Sequence, residues 1–314
     1  MTDVLRWGRT AYETEEALLA ERRGAEALGL SWALSPGFEP PEALSEARVL
    51  VIPSKVHLDA AVLERFAGDL VVATTSGYDH VDLEACRRKG VAVVRLPQAR
   101  RDAVVEHALA GMIGLLRRLP ALEGRARSGR WARGELPALA PRSIHGAIIA
   151  ILGLGVIGRR MAEVLATLGA TVLGVDPLGV PEGVTAVPLR EALERSDAVT
   201  AHCSLTPTSR GLLDRAALDR LPPHAVVVNT ARGEVLDVRE AVDRVAGGRL
   251  GGLCCDVFPV EPYPRLAEGA AVPGVWLTPH SAGYTADLGQ RVATGVVEAV
   301  GAWVRGEALP YRLV

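Results

Sequence analysis

Two series of short apolar runs, each run followed by a turn and a helical stretch, constrain this chain more than any other feature of its sequence. The first series holds Val49–Ile52, residues 70–74 and residues 91–94, with helical stretches over 58–66 and Leu83–Lys89 between them. The second holds residues 147–152, Thr171–Val175, 198–202, 225–229 and Gly252–Cys255. Runs that are apolar throughout and rich in β-branched residues suit strands buried on both faces, as in a parallel sheet covered by helices. Strand–helix repetition predicts a doubly wound α/β architecture, and two series predict two such domains. The junction is expected near residues 96–102, where a long apolar helix over 103–119 begins. Residues 125–143, polar and broken by Gly and Pro, read as a projecting arm or a loop, and 161–168 as a helix. The last stretch, 287–304, has helical spacing through Val292, Val296, Val297, Val300 and Trp303. If it packs back on the first domain, that domain is discontinuous: 1–97 plus 285–314, with 98–284 as the second.

Composition narrows the class. A chain of 314 residues with 49% hydrophobic and 23% charged residues is globular and long enough for two cores. A net charge of −2 leaves no basic field to attract nucleic acid or anionic lipid. Cys86, Cys203, Cys254 and Cys255 form no CxxC and no metal-ligand spacing with histidine, so they read as reduced core thiols and no metal is expected. The N-terminal residues turn acidic and polar too soon for a signal peptide, and no apolar run approaches the roughly 20 residues that span a bilayer. The expectation is a soluble, cytoplasmic protein.

The run over 147–152 leads straight into Gly153-Leu154-Gly155-Val156-Ile157-Gly158 and then a helix. A lone GxGxxG is a weak signal, but between a strand and a helix it has the context that dinucleotide binding requires. Gly153 permits the tight turn, Gly155 admits a pyrophosphate to the backbone, and Gly158 lets helix and strand pack closely. The N–H groups of Val156, Ile157 and Gly158 at the positive helix end then hold the phosphates. The next strand runs into Asp176, eighteen residues after Gly158. A carboxylate there accepts hydrogen bonds from ribose hydroxyls and repels a 2′-phosphate, which favours NAD over NADP. An aspartate ending a strand also serves plain turn chemistry.

Three later apolar runs each end in polar residues: Asn229-Thr230-Ala231-Arg232-Gly233, Asp256-Val257-Phe258-Pro259-Val260-Glu261-Pro262, and Pro279-His280-Ser281-Ala282-Gly283. These segments, with Gly153–Gly158, Ser76-Gly77-Tyr78-Asp79-His80-Val81-Asp82 and Val105-Glu106-His107, resemble the D-isomer-specific 2-hydroxyacid dehydrogenases over almost the whole chain. Phosphoglycerate and hydroxypyruvate/glyoxylate-type members look nearest, without a regulatory domain beyond residue 314. The resemblance implies a Rossmann NAD domain and a flavodoxin-like substrate domain with a cleft between them. It also implies hydride transfer between NAD(H) and a small 2-oxo or 2-hydroxy acid, with D-stereospecificity carried over from the family. His280 would be the acid–base, Glu261 would hold its imidazole, and Arg232 would pair with the substrate carboxylate. Ser76, Gly77 and Tyr78 would bind substrate, while Val104, Thr230, Ala231, Asp256 and His280 would contact the cofactor. Closure would hinge near 96–100 and 282–287, and a homodimer would form with residues 119–143 reaching across.

Taken singly, Glu261 reads more readily as an exposed loop carboxylate, His280 as a helix-end residue and Arg232 as a surface cation before a turn; it is their ordered recurrence with the glycine loop that points to catalysis. His57, His80, His107, His145, His202 and His224 read as structural, with His202 near the adenine. Arg100 stands where many members carry asparagine, and Lys55 where relatives with charged substrates carry polar or basic residues. Together they suggest a second anionic group on the substrate, the bland alternative being two solvated cations. Two rivals share the scaffold: an NADH-binding sensor or corepressor with the same triad, and a formate dehydrogenase. Glu261 argues against the latter, whose fold relatives use glutamine beside the histidine.

Overall fold

The apolar runs form the strands of two all-parallel sheets. The computed structural model describes residues 2–314 and divides into two units, residues 1–100 with 284–314, and residues 101–283. In the first unit β1 (Val4–Trp7), β2 (Trp32–Ser35), β3 (Val49–Ile52), β4 (Leu70–Ala73) and β5 (Ala92–Arg95) lie in the order β2-β1-β3-β4-β5. Every residue of β1, β3 and β4 is buried, as both-face coverage by helices demands. One covering layer is the helix Leu288–Val304, whose Val292, Val296 and Val300 share a core with Val49, Val51 and Val72. Each such side chain removed from water contributes about 1.5–3 kcal/mol.

In the second unit β6 (Ile148–Leu152), β7 (Thr171–Val175), β8 (Thr185–Ala186), β9 (Ala198–Ala201), β10 (Val226–Asn229), β11 (Gly252–Cys255) and β12 (Val275–Leu277) form a parallel sheet ordered β12-β11-β10-β9-β6-β7-β8. The chain starts this sheet at β6, builds outward through β7 and β8, then reverses to β9 on the other side of β6. That reversal is a topological switch point, and loops at the carboxyl ends of the strands beside it are where such sheets bind ligands. The helix Arg101–Leu116 covers one face with Val105, Ala108, Met112 and Leu115.

Residues 125–143 are not wholly irregular: a helix runs over Leu119–Arg127 and a short one over Leu136–Leu139. Neither has a buried residue, and Trp131 between them is 88% exposed.

Candidate active site

The glycine turn after β6 explains its own composition. Gly153 sits at φ +91°, and a Cβ there would lie 2.5 Å from the Cys203 backbone. A Cβ on Gly158 would lie 2.0 Å from the Gly153 carbonyl oxygen, so helix and turn touch through bare backbone. Gly155 differs: a Cβ there would meet nothing within 4 Å. It is the N-cap of the helix Val156–Thr167 and supplies no side-chain cap, so the N–H groups of Val156, Ile157 and Gly158 donate to no acceptor among the described residues. A dinucleotide pyrophosphate fits such a cradle. Asp176, directly after β7, accepts from the Leu154 N–H through Oδ2 (2.6 Å) and from the Leu178 N–H through Oδ1 (2.8 Å). It therefore braces the glycine turn, with carboxylate lone pairs left over for a ribose hydroxyl.

At the end of β9, His202 bonds Thr200 Oγ1 through Nε2 at 2.9 Å, and its Nδ1 is buried without a partner. Burial pushes its pKa down to about 4, so the ring is neutral at physiological pH. Cys203 beside it is pushed up to about 11 by burial, which keeps it a thiol. Beyond β10, Asn229 donates from Nδ2 to the Arg232 carbonyl (2.9 Å) and accepts from the Ala231 N–H (3.1 Å). These bonds shape the loop that presents Arg232. Thr230 Oγ1 in this loop is buried without a partner, and Val104 is buried on the helix Arg101–Leu116.

Gly233 shows why glycine follows Arg232. A Cβ there would lie 1.9 Å from the Phe258 carbonyl carbon, so the loops after β10 and β11 meet backbone to backbone. The second loop is stiffened by Phe258 stacked on Tyr263, with ring centroids 4.6 Å apart. Between them Glu261 accepts from the Phe258 N–H at 3.0 Å through Oε1 and from His280 Nδ1 at 2.8 Å through Oε2. Burial pushes the Glu261 pKa up, but the hydrogen bonds from His280 and Phe258, with the charges of His280 and Arg232, outweigh it. The carboxyl is held below its ordinary value and is ionised at neutral pH. An ionised Glu261 requires Nδ1 to be the donor, which leaves Nε2 of this half-exposed histidine with no protein partner among the described residues.

Asp256, just past β11 and only 1% exposed, organises the loop that carries His280. Its Oδ1 accepts from Thr278 Oγ1 (2.5 Å), the Ser281 N–H (2.8 Å) and Ser281 Oγ (3.3 Å). Its Oδ2 accepts from the Ala282 N–H at 2.8 Å, and its carbonyl takes the His280 N–H at 2.7 Å. His280 is thereby held at φ +53°, a left-handed conformation unusual for a residue with a Cβ. His107 Nε2 lies 3.1 Å from Thr278 Oγ1 and joins the same network.

In the second unit the structure thus gathers Arg232, Glu261 and His280 at the carboxyl ends of β10, β11 and β12. A sequence model described as "D-isomer specific 2-hydroxyacid dehydrogenase, NAD binding domain" matches residues 109–282. The chain belongs to this family. The D-3-phosphoglycerate dehydrogenase of Mycobacterium tuberculosis is 33% identical over 276 residues, covering 85% of this chain and 51% of that enzyme. The (S)-sulfolactate dehydrogenase of Chromohalobacter salexigens is 31% identical over 260 residues, covering 81% of this chain and 83% of that enzyme. The D-lactate dehydrogenase of Aquifex aeolicus, solved with NAD and lactic acid, superposes with a TM-score of 0.83 at 24% identity over 97% of this chain and 96% of that one. This chain spans about half the length of the phosphoglycerate dehydrogenases it matches. NAD is the cofactor of the family's matched domain, and the Gly155 cradle suits it.

The first unit has its own polar loop at the carboxyl end of β4. The N–H groups of Ser76, Gly77 and Tyr78 there donate to no acceptor among the described residues. Arg100 donates to the Thr74 carbonyl. Lys55, past β3, is exposed with its ammonium 5.6 Å from the Phe38 ring centroid. Sequence reading misses Asn229, the role of Asp256 as loop anchor, and Arg95, whose Nη1 donates to the Ser76 carbonyl at 2.8 Å. An asparagine closing three valines marks Asn229 in retrospect. Arg95 closes a strand and carries no such mark.

Proposed function

We propose that this protein is an NAD-dependent dehydrogenase interconverting a small 2-oxo acid and its D-2-hydroxy acid. The observation that carries the reading is the 2.8 Å bond from His280 Nδ1 to an ionised Glu261, with His280 Nε2 left unengaged. Bound NADH supplies a hydride to C2. His280 Nε2 gives the proton that the carbonyl oxygen takes up, and recovers it in the oxidation direction. Glu261 fixes the ring orientation and keeps a proton on Nδ1, which leaves Nε2 to face the substrate. Arg232 offers a planar fork to the substrate carboxylate. In the first unit Ser76 and Gly77 offer unengaged N–H groups to the same kind of anion. For the cofactor, the glycine turn and the helix end hold the pyrophosphate, Asp176 the ribose, and Val104, Thr230, Ala231, Asp256 and His280 the nicotinamide end. The names borne by the relatives support a 2-hydroxy acid as the reduced partner.

The test is NADH oxidation by purified protein with glyoxylate, pyruvate, hydroxypyruvate, phenylpyruvate and oxaloacetate, with NADPH in parallel. Turnover with NADH, and much less with NADPH, is the expected result. Tight NADH binding with no turnover on any acid would overturn the enzyme reading in favour of an NADH sensor.

A homodimer built through residues 119–143 belongs to the same proposal, supported by the exposed Trp131 and by Leu119, which is 49% exposed. Light scattering at micromolar concentration should give twice the chain mass of 33.2 kDa, and a monomer would refute it. All four cysteines are free thiols and no described helix is long and apolar enough to cross a membrane, both compatible with a cytoplasmic setting.

A further inference from the structure

The loop after β4 carries more positive charge than one carboxylate needs. Arg95, at the end of β5, donates to the Ser76 carbonyl, and Arg100, five residues on, donates to the Thr74 carbonyl. Both guanidiniums therefore end on the loop whose Ser76, Gly77 and Tyr78 N–H groups are unengaged. Each also lies over an aromatic ring: Arg95 Cζ is 5.6 Å from the Tyr78 centroid, and Arg100 Cζ is 4.9 Å from that of Tyr12. The rings fix the direction of two otherwise flexible side chains.

Neither guanidinium has a carboxylate within 4.0 Å among the described residues. The buried Arg6 and Arg244, by contrast, each face two carboxylates. Arg95 is half-buried, its Nε is enclosed without a partner, and burial lowers its pKa. The unit thus holds two oriented, partly desolvated cations with no counter-charge, a costly arrangement that an anion relieves. Lys55 is placed differently: it follows another strand and lies over Phe38.

We propose that Arg95 and Arg100 form a subsite for a second anionic group, so that the substrate is a dianionic 2-oxo acid bearing a carboxylate, sulfonate or phosphate besides its 2-oxo carboxylate. This rests on the dehydrogenase reading above, in which Ser76 and Gly77 take the 2-oxo carboxylate. Two cations on one loop suit a tetrahedral or planar oxyanion, and an uncharged tail would leave both uncompensated.

The experiment compares kcat/KM, with NADH, for pyruvate and hydroxypyruvate against oxaloacetate, sulfopyruvate and phosphohydroxypyruvate. At least one dianion is expected to exceed both monoanions by about 30-fold, the low end of what a buried hydrogen-bonded charge pair is worth. The preferred dianion identifies the head group. Arg95→Gln and Arg100→Gln are each expected to reduce that ratio about tenfold or more, with circular dichroism reporting folding. Turnover that favours the monoanions overturns the subsite and leaves the dehydrogenase standing. A dianion preference that survives both substitutions also overturns it. Absence of turnover on every acid removes the dehydrogenase reading, and the subsite with it. If a glutamine variant fails to fold, Arg95→Met or Arg100→Met takes its place, and the same reduction of about tenfold is expected.

Discussion

His280→Ala is expected to lower kcat for 2-oxo acid reduction by about 10²- to 10⁴-fold, the usual contribution of a positioned general acid. The loss should fall mainly on kcat, because the proton is needed only as charge develops on the carbonyl oxygen. Glu261→Gln keeps the shape and removes the charge that fixes the Nδ1 proton, so a smaller loss of about 10- to 100-fold is expected. The ordering of the two variants separates a proton donor from a merely structural ring. Steady-state kinetics by NADH absorbance measures both, and a His280→Ala protein keeping more than about a tenth of kcat would sink the assignment. The pairing should also set where activity fails on acidification. The Glu261 pKa is depressed in the fold, so its contribution to stability is fully present above the ordinary carboxylate value. It is lost only as the pH falls through the lowered folded value, and titration of Glu261 leaves the pair intact at neutral pH.

What positions His280 is held by residues that sequence reading cannot rank. The glycine turn, the strand before it and the helix after it are local, so their pattern is legible. The helix itself begins at Val156; its apolar stretch over 161–168 is legible, whereas Gly158, Arg159 and Arg160 give its first turn no apolar periodicity. The strand β1 hides for a related reason: Arg6 stands in its middle, and only the tertiary partners of that guanidinium make it a core residue. The residues of the His280 pair lie nineteen positions apart, and nothing local brings them together. Their roles are readable through family resemblance, whereas the geometry comes from Asp256. That carboxylate gathers Thr278, Ser281 and Ala282 and sets His280 in a left-handed conformation. Arg95 escapes notice because a cation ending a strand looks like any other. Its meaning emerges only when the Ser76 carbonyl and the Tyr78 ring are found around it.

Arg6→Ala is expected to destabilise the first unit by about 3–5 kcal/mol, the cost of breaking a buried ion pair by removing one partner. Arg6 is 0% exposed, Glu13 and Glu21 are each 2% exposed, and both pair with its guanidinium. Glu21 Oε1 also accepts from Trp32 Nε1 at 3.0 Å, and Glu13 Oε2 from the Thr10 N–H at 2.6 Å. Alanine removes the guanidinium that both carboxylates pair with and strands them inside the core. A leucine-sized cavity alone costs less than that combination when the walls can relax. The added change of Glu13 and Glu21 to glutamine should therefore recover part of the loss, because neutral amides no longer need a counter-charge. Calorimetry should show the first-unit transition about 10 °C lower in Arg6→Ala, in line with the usual conversion of a few kcal/mol for a domain of this size. A shift of under about 2 °C, or no recovery in the triple variant, would refute the electrostatic account. The consequence reaches function through the Thr10–Glu13 turn. That turn carries Tyr12, the ring over which Arg100 lies, so loosening the triad should also lower the preference for dianionic acids. A buried charge cluster in this unit thus acts as the footing of the ring over which Arg100 lies.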